Sequence, residues 1–358
     1  MLPRSRLYRF FEIIPGTLIW ATLLGALALS LIKPFWALYL VIAFDLYWLF
    51  RVIYFVFYLT ISWQRYRRTV KVNWFKRLNE QLPQWSKLYH LILIPTYKES
   101  RELLTATLSG LAAADYPKEK FLIVLAGEER DRDNFLRHAQ ALRREFGHQF
   151  GHFLVTLHPK DLPQEIPGKG SNLNYAGHQV KALIDAQKIP YANIIVSAFD
   201  SDTVPHAQYF AHLSYLYLTV PDPLRTSYQP MAFYNNNIWE APAFLRLGAL
   251  STTFWNMTEL ARPERLWTFS SHSMPFQALV DVDFWQKDVV NEDTRILLQC
   301  LVRYQGRYRV TPLYLPVSMD TVNTSSYLRI HLDLYKQQSR WAWGVAEHIQ
   351  FFVWHFFR

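Results

Sequence analysis

The stretch that decides the fold is Ile194-Ile195-Val196-Ser197-Ala198-Phe199-Asp200-Ser201-Asp202-Thr203. Its apolar half is rich in Ile and Val without alternation, which predicts a strand at the centre of a parallel sheet covered on both faces. In such sheets ligands bind outside the carboxyl ends of the strands, which is where Asp200 and Asp202 fall. Two carboxylates there are hard oxygen ligands suited to Mg²⁺ or Mn²⁺. A polar turn that ends the strand explains the same residues, so this stretch alone leaves both interpretations open.

Composition narrows the class of protein. The 358 residues are 51% hydrophobic and 16% aromatic, and 38 Lys and Arg face 29 Asp and Glu, for a net charge of +9. A basic balance is typical of proteins that meet nucleic acid, anionic lipid or a phosphate-rich substrate. The single cysteine, Cys300, excludes an intramolecular disulfide framework and favours a reducing, cytosolic setting.

Two long apolar segments open the chain. Ile13–Ile32 carries no charge and has the length that a bilayer-spanning helix needs, and residues 35–63 are interrupted only by Asp45 and Arg51. The first run is too long for a cleaved signal peptide. Basic residues flank the pair on both sides: Arg4, Arg6, Arg9, Arg65, Arg67, Arg68, Lys71, Lys76 and Arg77.

This charge bias predicts a hairpin in the inner or plasma membrane with both flanks in the cytoplasm. The positive surplus then faces lipid headgroups, so we expect membrane lipids as partners and no nucleic acid.

From Leu88 onward the pattern alternates between strands and helices. Strands are predicted at residues 91–94, 121–125 and 153–157, before the one at Ile194, and helices at residues 103–114, 131–146 and 173–186. Alternation at these lengths predicts an α/β domain with a parallel sheet. Beyond Val204 aromatic residues and prolines are frequent, and only a helix at residues 295–302 is predicted.

Three polar groups lie near the ends of these strands or open a helix: Pro95-Thr96-Tyr97-Lys98-Glu99, Glu128-Glu129-Arg130 and Gly168-Lys169-Gly170-Ser171-Asn172-Leu173-Asn174. Loops after successive parallel strands converge on one crevice, so we expect these groups to share a site. Lys169 with the N–H groups of a helix start attracts phosphate, although the pattern is not a P-loop. A flexible polar turn is the competing interpretation.

Two more groups lie towards the C-terminus. Asn291-Glu292-Asp293-Thr294 places an acidic pair before the predicted helix, where it acts either as a cap for the helix dipole or as a carboxylate general base. Gln337-Gln338-Ser339-Arg340-Trp341 offers a cation and an aromatic ring. Such a pair is commonly used in packing, but it is also suited to a leaving phosphate and a sugar ring.

In this order, the motifs resemble those of the membrane-embedded family 2 glycosyltransferases, which include cellulose, chitin and hyaluronan synthases and ceramide glucosyltransferase. The resemblance covers residues 88–344, with a compatible hairpin before them. It implies an α/β fold of GT-A type, with a mostly parallel sheet flanked by helices, behind a two-helix transmembrane hairpin. It also implies inverting hexosyl transfer from a UDP- or GDP-linked sugar to a saccharide or lipid acceptor, with Mg²⁺ or Mn²⁺ as cofactor.

The resemblance carries roles over to individual residues. Thr96, Tyr97 and Glu99 are expected to line the nucleoside pocket, with Glu128 or Glu129 reaching the base and Lys169 near the phosphates. Asp200 and Asp202 are expected to contact ribose and diphosphate and to hold the metal. Asp293, beside Glu292, is the expected general base. The expected gate over the diphosphate and the acceptor entrance consists of Gln337, Arg340 and Trp341.

The chain departs from the family at three places. Ala126-Gly127-Glu128-Glu129 stands where an aspartate pair is usual, which leaves the nucleobase open. Ser270-Ser271-His272-Ser273-Met274 stands where many relatives have a Gly-rich acceptor loop. C-terminal transmembrane helices do not follow, so we expect either that they were lost or that the sequence is a fragment.

We therefore expect four parts: a transmembrane hairpin (1–63), a basic juxtamembrane linker (64–87), a cytoplasmic glycosyltransferase domain (88–344), and an interfacial segment or the start of a membrane helix (345–358). Processive polymer synthesis and single addition to a membrane lipid stay open. A catalytically inactive, membrane-tethered binding protein is the alternative from a different class. A Ser/His hydrolase at Ser271-His272-Ser273 is disfavoured because no nucleophile-elbow pattern surrounds the serines.

Overall fold

The computed structural model of the chain describes residues 6–321, 331–332 and 334–344. Its helices are α1 Arg6–Ile32, α2 Pro34–Thr69, α3 Trp74–Gln81, α4 Arg101–Ala112, α5 Arg132–Phe146, α6 Lys169–Ala186, α7 Tyr209–Thr219, α8 Ala243–Leu260, α9 Phe276–Asp281 and α10 Glu292–Arg303. Its strands are β1 Tyr89–Pro95, β2 Phe121–Glu128, β3 His152–His158, β4 Ile194–Ala198, β5 Val204–Pro205, β6 Thr226–Tyr234, β7 Ser273–Pro275 and β8 Arg309–Met319. Residues 331–332 and 334–344 are helical as well.

Helices α1 and α2 form the predicted pair of apolar helices and pack against each other. Ile13–Ile32 and Pro34–Thr69 are long and apolar enough to cross a membrane by length and composition. The most apolar stretch of each helix is not buried inside the protein. Pro34 begins α2, where its missing N–H costs no helical hydrogen bond. Helix α2 continues past residue 63 to Thr69, so the start of the expected linker is helical.

The last turns of α2 contact the α/β domain. Arg65 Nη1 donates to the Tyr314 hydroxyl at 2.7 Å, and the rings of Tyr66 and Phe233 meet edge to face at 5.7 Å. The hairpin and the domain are thus joined by direct packing as well as by the chain.

Eight strands form one sheet in the order β3-β2-β1-β4-β7-β6-β8-β5. Strands β3, β2, β1 and β4 pair in parallel, as do β6 and β8. Strand β7 is antiparallel to both β4 and β6, and β5 is antiparallel to β8. The sheet is therefore mostly parallel, and β1 lies between β2 and β4.

Alternating side chains of the central strands enter two separate cores. In β1, Ile92 and Ile94 point into one core, and Leu91 and Leu93 into the other. All four are fully buried, which at about 1.5–3 kcal/mol for each side chain makes β1 a major source of stability. A strand covered on both faces has no polar face, which is why β4 shows no alternation of apolar and polar residues.

The predicted α/β fold class, with a mostly parallel sheet flanked by helices and preceded by two apolar helices, is confirmed. The main differences concern helix starts: α6 begins at Lys169, and α10 begins at Glu292 rather than at residue 295. Acidic side chains in a first turn interact favourably with the helix dipole, which explains the earlier start of α10. The predicted segment 345–358 lies outside the described residues.

Candidate active site

The turn after β4 is held by hydrogen bonds. Phe199 is fully buried, and its N–H donates to Leu93 O at 3.0 Å, which continues the sheet by one residue. Thr203 N donates to Asp200 O at 3.0 Å and closes the turn. The hydroxyl of Ser271 contacts Thr203 Oγ1 at 2.7 Å and accepts from Asp200 N at 3.2 Å. These bonds fix the turn that carries the Asp-Ser-Asp motif.

The ammonium group of Lys169 lies at the centre of an acid cluster formed with Asp200, Glu292 and Asp293. Its Nζ is 2.7 Å from Asp200 Oδ1, 3.3 Å from Glu292 Oε1 and 2.9 Å from both carboxylate oxygens of Asp293. Its side chain is 21% exposed and that of Glu292 only 7%. Residues of three sequence motifs, which lie up to 124 positions apart in the chain, thus meet at one nitrogen atom.

The pKa values of the cluster follow from burial and charge. Burial lowers the pKa of Lys169, but the carboxylates of Asp200, Asp293 and Glu292 outweigh it and hold this pKa well above its ordinary value. Burial raises the pKa of Asp200, but the charge and hydrogen bond of Lys169 bring it below the ordinary value. Burial and the negative charge of Asp293 raise the pKa of Glu292 to about 8. Near neutral pH, Glu292 is therefore largely protonated.

A glycine allows α6 to approach the acidic pair. A Cβ atom at Gly170 would lie 3.0 Å from Gln286 O and 3.1 Å from Glu292 Cβ, closer than ordinary contact. Ser171 Oγ donates to Gly168 O at 3.0 Å and ties the first turn to the preceding loop. Asn172 Nδ2 donates to Ala126 O at 2.8 Å and fixes the same turn against the end of β2.

The first turn of α10 is anchored by a threonine that no motif singled out. Thr268 Oγ1 donates to Asp293 O at 2.6 Å, and Thr294 Oγ1 donates to Thr268 O at 3.1 Å. Nearby, Nδ1 of the fully buried His272 is 3.9 Å from Asp293 Oδ1. The backbone that carries the acidic pair is therefore fixed on one side by the segment before β7.

Asp202 has a different environment from Asp200. Its Oδ2 accepts from Asp320 N at 2.9 Å, and its carbonyl oxygen accepts from Asn236 Nδ2 at 3.0 Å. Its Oδ1 is buried and has no hydrogen-bond partner. Burial and the charge of Asp200 raise the pKa of Asp202 to about 7. A buried carboxylate oxygen without a donor is suited to a cation.

Glu99 lies beside this turn. Its side chain hydrogen-bonds to Ser201. Burial and the negative charge of Asp200 raise the pKa of Glu99 above its ordinary value, although the hydrogen bond to Ser201 lowers it in part. Of the predicted nucleoside residues, Glu99 thus reaches the Asp-Ser-Asp turn directly.

The other predicted donor-binding residues gather at the ends of β1 and β2. Thr96 is buried and donates through Oγ1 to Ala126 O at 3.3 Å. The Arg130 guanidinium lies 4.4 Å from the Tyr97 ring centre and pairs with the buried Glu128 through Nε at 2.9 Å. Glu129 Oε2 accepts from the backbone N of residue 160 at 3.0 Å. Both glutamates therefore have protein partners, and they form a group beside the Lys169 cluster rather than part of it.

The predicted gate residues lie on the helical residues 334–344. Gln337 is partly exposed, whereas Arg340 and Trp341 are exposed, Trp341 to 40%. Their link to the acid cluster runs through the backbone: Asn291 Nδ2 donates to Trp341 O at 3.3 Å, immediately before Glu292. This contact brings the helical residues 334–344 next to the start of α10.

The sequence analysis assigned no role in this site to four residues that hold it together: Thr268, Ser270, Asn236 and Asp320. Ser270 Oγ donates to Asp200 Oδ2. Asp320 directly follows β8, so its position after a strand was a usable signal for it. For the other three no local signal exists, because their partners lie 25 or more residues away in the sequence.

Comparisons with known proteins found one matching family and several similar solved structures. The model of the glycosyl transferase family group 2 matches residues 195–358. No curated protein matches the chain. Similar solved structures include mannosyltransferase PcManGT from Pyrobaculum calidifontis with GDP-Man and Mn²⁺, at 18% identity over 84% of this chain and 74% of that one, with a TM-score of 0.49.

Two further structures are more distant. TarS 1-349 of S. aureus with UDP-GlcNAc is 14% identical over 67% of this chain and 62% of that one, with a TM-score of 0.42. Glucosyl-3-phosphoglycerate synthase of Mycobacterium tuberculosis, with Mn²⁺, UDP and phosphoglyceric acid, is 14% identical over 74% of this chain and 82% of that one, with a TM-score of 0.40. This chain thus spans less than two thirds of TarS 1-349.

The matched residues 195–358 contain the Asp-Ser-Asp turn, the acidic pair at Glu292-Asp293 and the Gln-x-x-Arg-Trp motif. The resemblance to family 2 glycosyltransferases that these motifs predicted is confirmed by the family model over residues 195–358.

Proposed function

We propose that the chain is a membrane-bound, inverting hexosyltransferase that moves a sugar from a UDP- or GDP-linked donor to a saccharide or lipid acceptor. The observation that carries the proposal is the meeting of Asp200, Glu292 and Asp293 at the Lys169 ammonium group. In this arrangement the ammonium group, which attracts phosphate, is within hydrogen-bond distance of one carboxylate of the Asp-Ser-Asp motif and of the candidate base Asp293. A donor whose diphosphate reaches Lys169 would present its sugar to Asp293.

The chain's own residues fit a divalent metal at Asp202. Its unpartnered, buried Oδ1 offers a hard oxygen ligand, and Asp200 lies close enough to raise its pKa. Among the described residues no three His, Cys, Asp or Glu side chains form a ready metal site. Mg²⁺ is commonly held by one or two carboxylates together with substrate phosphates, so a donor diphosphate would complete the ligands. When bound, the metal would supply positive charge to the departing diphosphate.

Donor binding and catalysis would use separate groups. Thr96, Tyr97 and Glu99 would line the nucleoside pocket, with Glu128 or Glu129 near the base. Lys169 would bind the diphosphate, which carries more charge than a single carboxylate, and would leave Asp293 as it does so. Exposed Arg340 would add a second cation from the gate.

Asp293 would act as general base on the acceptor. The acceptor hydroxyl oxygen would bond to the anomeric carbon on the face opposite the diphosphate, while the bond to the diphosphate breaks. The hydroxyl proton would pass to Asp293, and the nucleoside diphosphate would leave with the electron pair. Glu292, whose pKa is raised to about 8, would stay largely protonated beside it and spare Asp293 a second negative neighbour. Attack from the opposite face inverts the anomeric configuration.

The hairpin of α1 and α2 would anchor the catalytic domain on the cytoplasmic side of the cell membrane. The flanking arginines and lysines support this orientation. The division into hairpin (1–63), basic segment (64–87), catalytic domain (88–344) and C-terminal segment (345–358) belongs to the same proposal.

The proposal is tested with Asp293→Asn in the full chain. We expect the variant to keep donor binding, measured as a thermal shift with UDP- and GDP-sugars and Mn²⁺, but to lose about 10²–10⁴-fold in turnover. Asp283→Asn is the matched control, because the Asp283 side chain is 90% exposed and asparagine tolerates its positive φ of 57°. Normal turnover by Asp293→Asn would place the base elsewhere. Full activity in excess EDTA would refute the proposal that the transfer depends on a divalent metal.

A further inference from the structure

An apolar cavity of ≈ 510 Å³ lies between α2, the end of β6 and α8. This size falls within the roughly 300–1,000 Å³ of small-molecule sites. Most of its wall is hydrocarbon or aromatic, which favours an apolar ligand. Its lining includes Leu59, Trp63, Phe233, Tyr234, Leu250 and Phe254.

One end of the cavity lies beside the active site. Tyr234 and Asn235 line the cavity, and the next residue, Asn236, donates through Nδ2 to Asp202 O at 3.0 Å. Burial and the charges of Asp200, Asp202 and Asp293 raise the pKa of Tyr234, so this ring lies within electrostatic reach of the catalytic acids. A ligand in the cavity would therefore direct one end towards Asp293.

The other end lies at the level of a bilayer surface. From residue 35 to residue 63, α2 rises by about 43 Å at about 1.5 Å per residue, which matches the roughly 40–45 Å of a bilayer with its headgroups. Trp63, which is 46% exposed, then occupies the aromatic belt, and Arg65 follows it. Exposed apolar side chains continue along both helices beside the cavity, with Val56 and Phe57 on α2 and Leu247 on α8. The apolar surface is therefore continuous from the spans to the cavity.

We propose that this cavity holds the hydrocarbon chain of the acceptor, so that the acceptor is a membrane lipid with a free hydroxyl group. The inference rests on the proposed function and selects between its two acceptor classes. The lipid hydroxyl oxygen bonds to the anomeric carbon, its proton passes to Asp293, and the nucleoside diphosphate leaves. A saccharide fits this cavity poorly, because its hydroxyl groups would be buried against a wall that offers them few partners.

The probe is a diacylglycerol with a diazirine in one acyl chain, presented to the full chain in phosphatidylcholine vesicles. Leu250→Trp fills the cavity from α8, and Leu59→Trp fills it from α2. Leu247→Trp is the matched control, since Leu247 lies on the same helix, is 68% exposed and does not line the cavity. Light-induced labelling is mapped by mass spectrometry, and donor binding is measured in the same samples.

In the unaltered chain we expect labelling at Phe233, Phe254 and Met257, which line the cavity. In each filled variant the amount of this labelling should fall roughly tenfold. Leu247→Trp should keep the labelling, and all variants should keep donor binding. Labelling confined to α1 and the outer face of α2, or equal labelling in filled and control variants, would overturn the lipid proposal alone. Transfer to a soluble saccharide that the filled variants leave unchanged would also overturn it. Absence of metal-dependent donor binding in every sample would instead refute the proposed function.

Discussion

Replacing Lys169 by methionine should destabilise the folded chain strongly at neutral pH. The substitution keeps a long side chain but removes the ammonium group that lies within 3.3 Å of Asp200, Glu292 and Asp293. Removal of one partner from a buried ion pair costs about 3–5 kcal/mol, because the remaining charge stays buried. For a domain of this size, we expect the melting temperature to fall by roughly 6–20 °C.

The pH dependence gives this prediction a sign. Lys169 lowers the pKa of Asp200 in the folded state. The folding stability that Lys169 contributes through Asp200 is therefore fully present above the carboxyl pKa of the unfolded chain, which is about 3.9. That contribution disappears as the pH falls through the lowered folded pKa. The difference between the unaltered chain and Lys169→Met should therefore be largest at pH 7–8 and shrink below about pH 4.

The matched control is Lys181→Met on the same helix. Lys181 pairs with Asp185 at 2.7 Å, but their side chains are 31% and 43% exposed, so solvent screens the pair and we expect only a small loss of stability. Thermal unfolding of detergent-solubilised protein at pH 8, 7 and 4 measures both variants. Equal losses for the two substitutions at pH 7 would refute the view that Lys169 holds the acid cluster together.

Two further predictions concern the metal and the membrane. The pKa of Asp202 is raised to about 7, and a metal binds only the ionised carboxylate. The Mn²⁺ affinity measured by calorimetry should therefore rise about tenfold per pH unit below pH 7 and level off above it. An affinity that is constant from pH 5 to 8 would exclude Asp202 as a ligand. A cysteine in place of Lys33, between α1 and α2, should react with an impermeant maleimide on intact cells, with little background from the buried Cys300; labelling only after lysis would invert the proposed orientation.

The sequence predicts the parallel half of the sheet because its signals are local. A strand buried on both faces needs apolar residues in succession, and Ile194-Ile195-Val196 supplies them next to the equally apolar β1. The signal for α6 is local as well, since residues 173–186 have helical spacing of apolar side chains, although the helix begins four residues earlier, at Lys169. What no local pattern contains is the contact between Lys169 and Asp293, which depends on how closely α6 and α10 approach at Gly170.

The other half of the sheet, from β7 to β5, was not predicted for a different reason. Strand β8 contains Pro312 and Pro316, and a proline normally argues against a central strand because it cannot donate to the ladder. Here β8 pairs with β6 on one side, but on the other only with the two residues of β5. Most of its outer edge therefore needs no donor, and a register shift at Pro230/Met231 of β6 accommodates the irregular pairing. The prolines are tolerated by position, which the sequence alone does not reveal.

The charge balance of the site favours joint binding of donor and metal. Burial and neighbouring carboxylates raise the pKa of Asp202 to about 7 and that of Glu292 to about 8, so the site resists further negative charge even with Lys169 at its centre. A donor diphosphate alone would add negative charge to these acids, and it would gain only the attraction of Lys169 and of the exposed Arg340. With a divalent cation it enters nearly neutral, and Asp202 can ionise at little cost. The same acids that would hold a metal thus make the site a poor one for a metal-free diphosphate, which supports the proposed metal dependence.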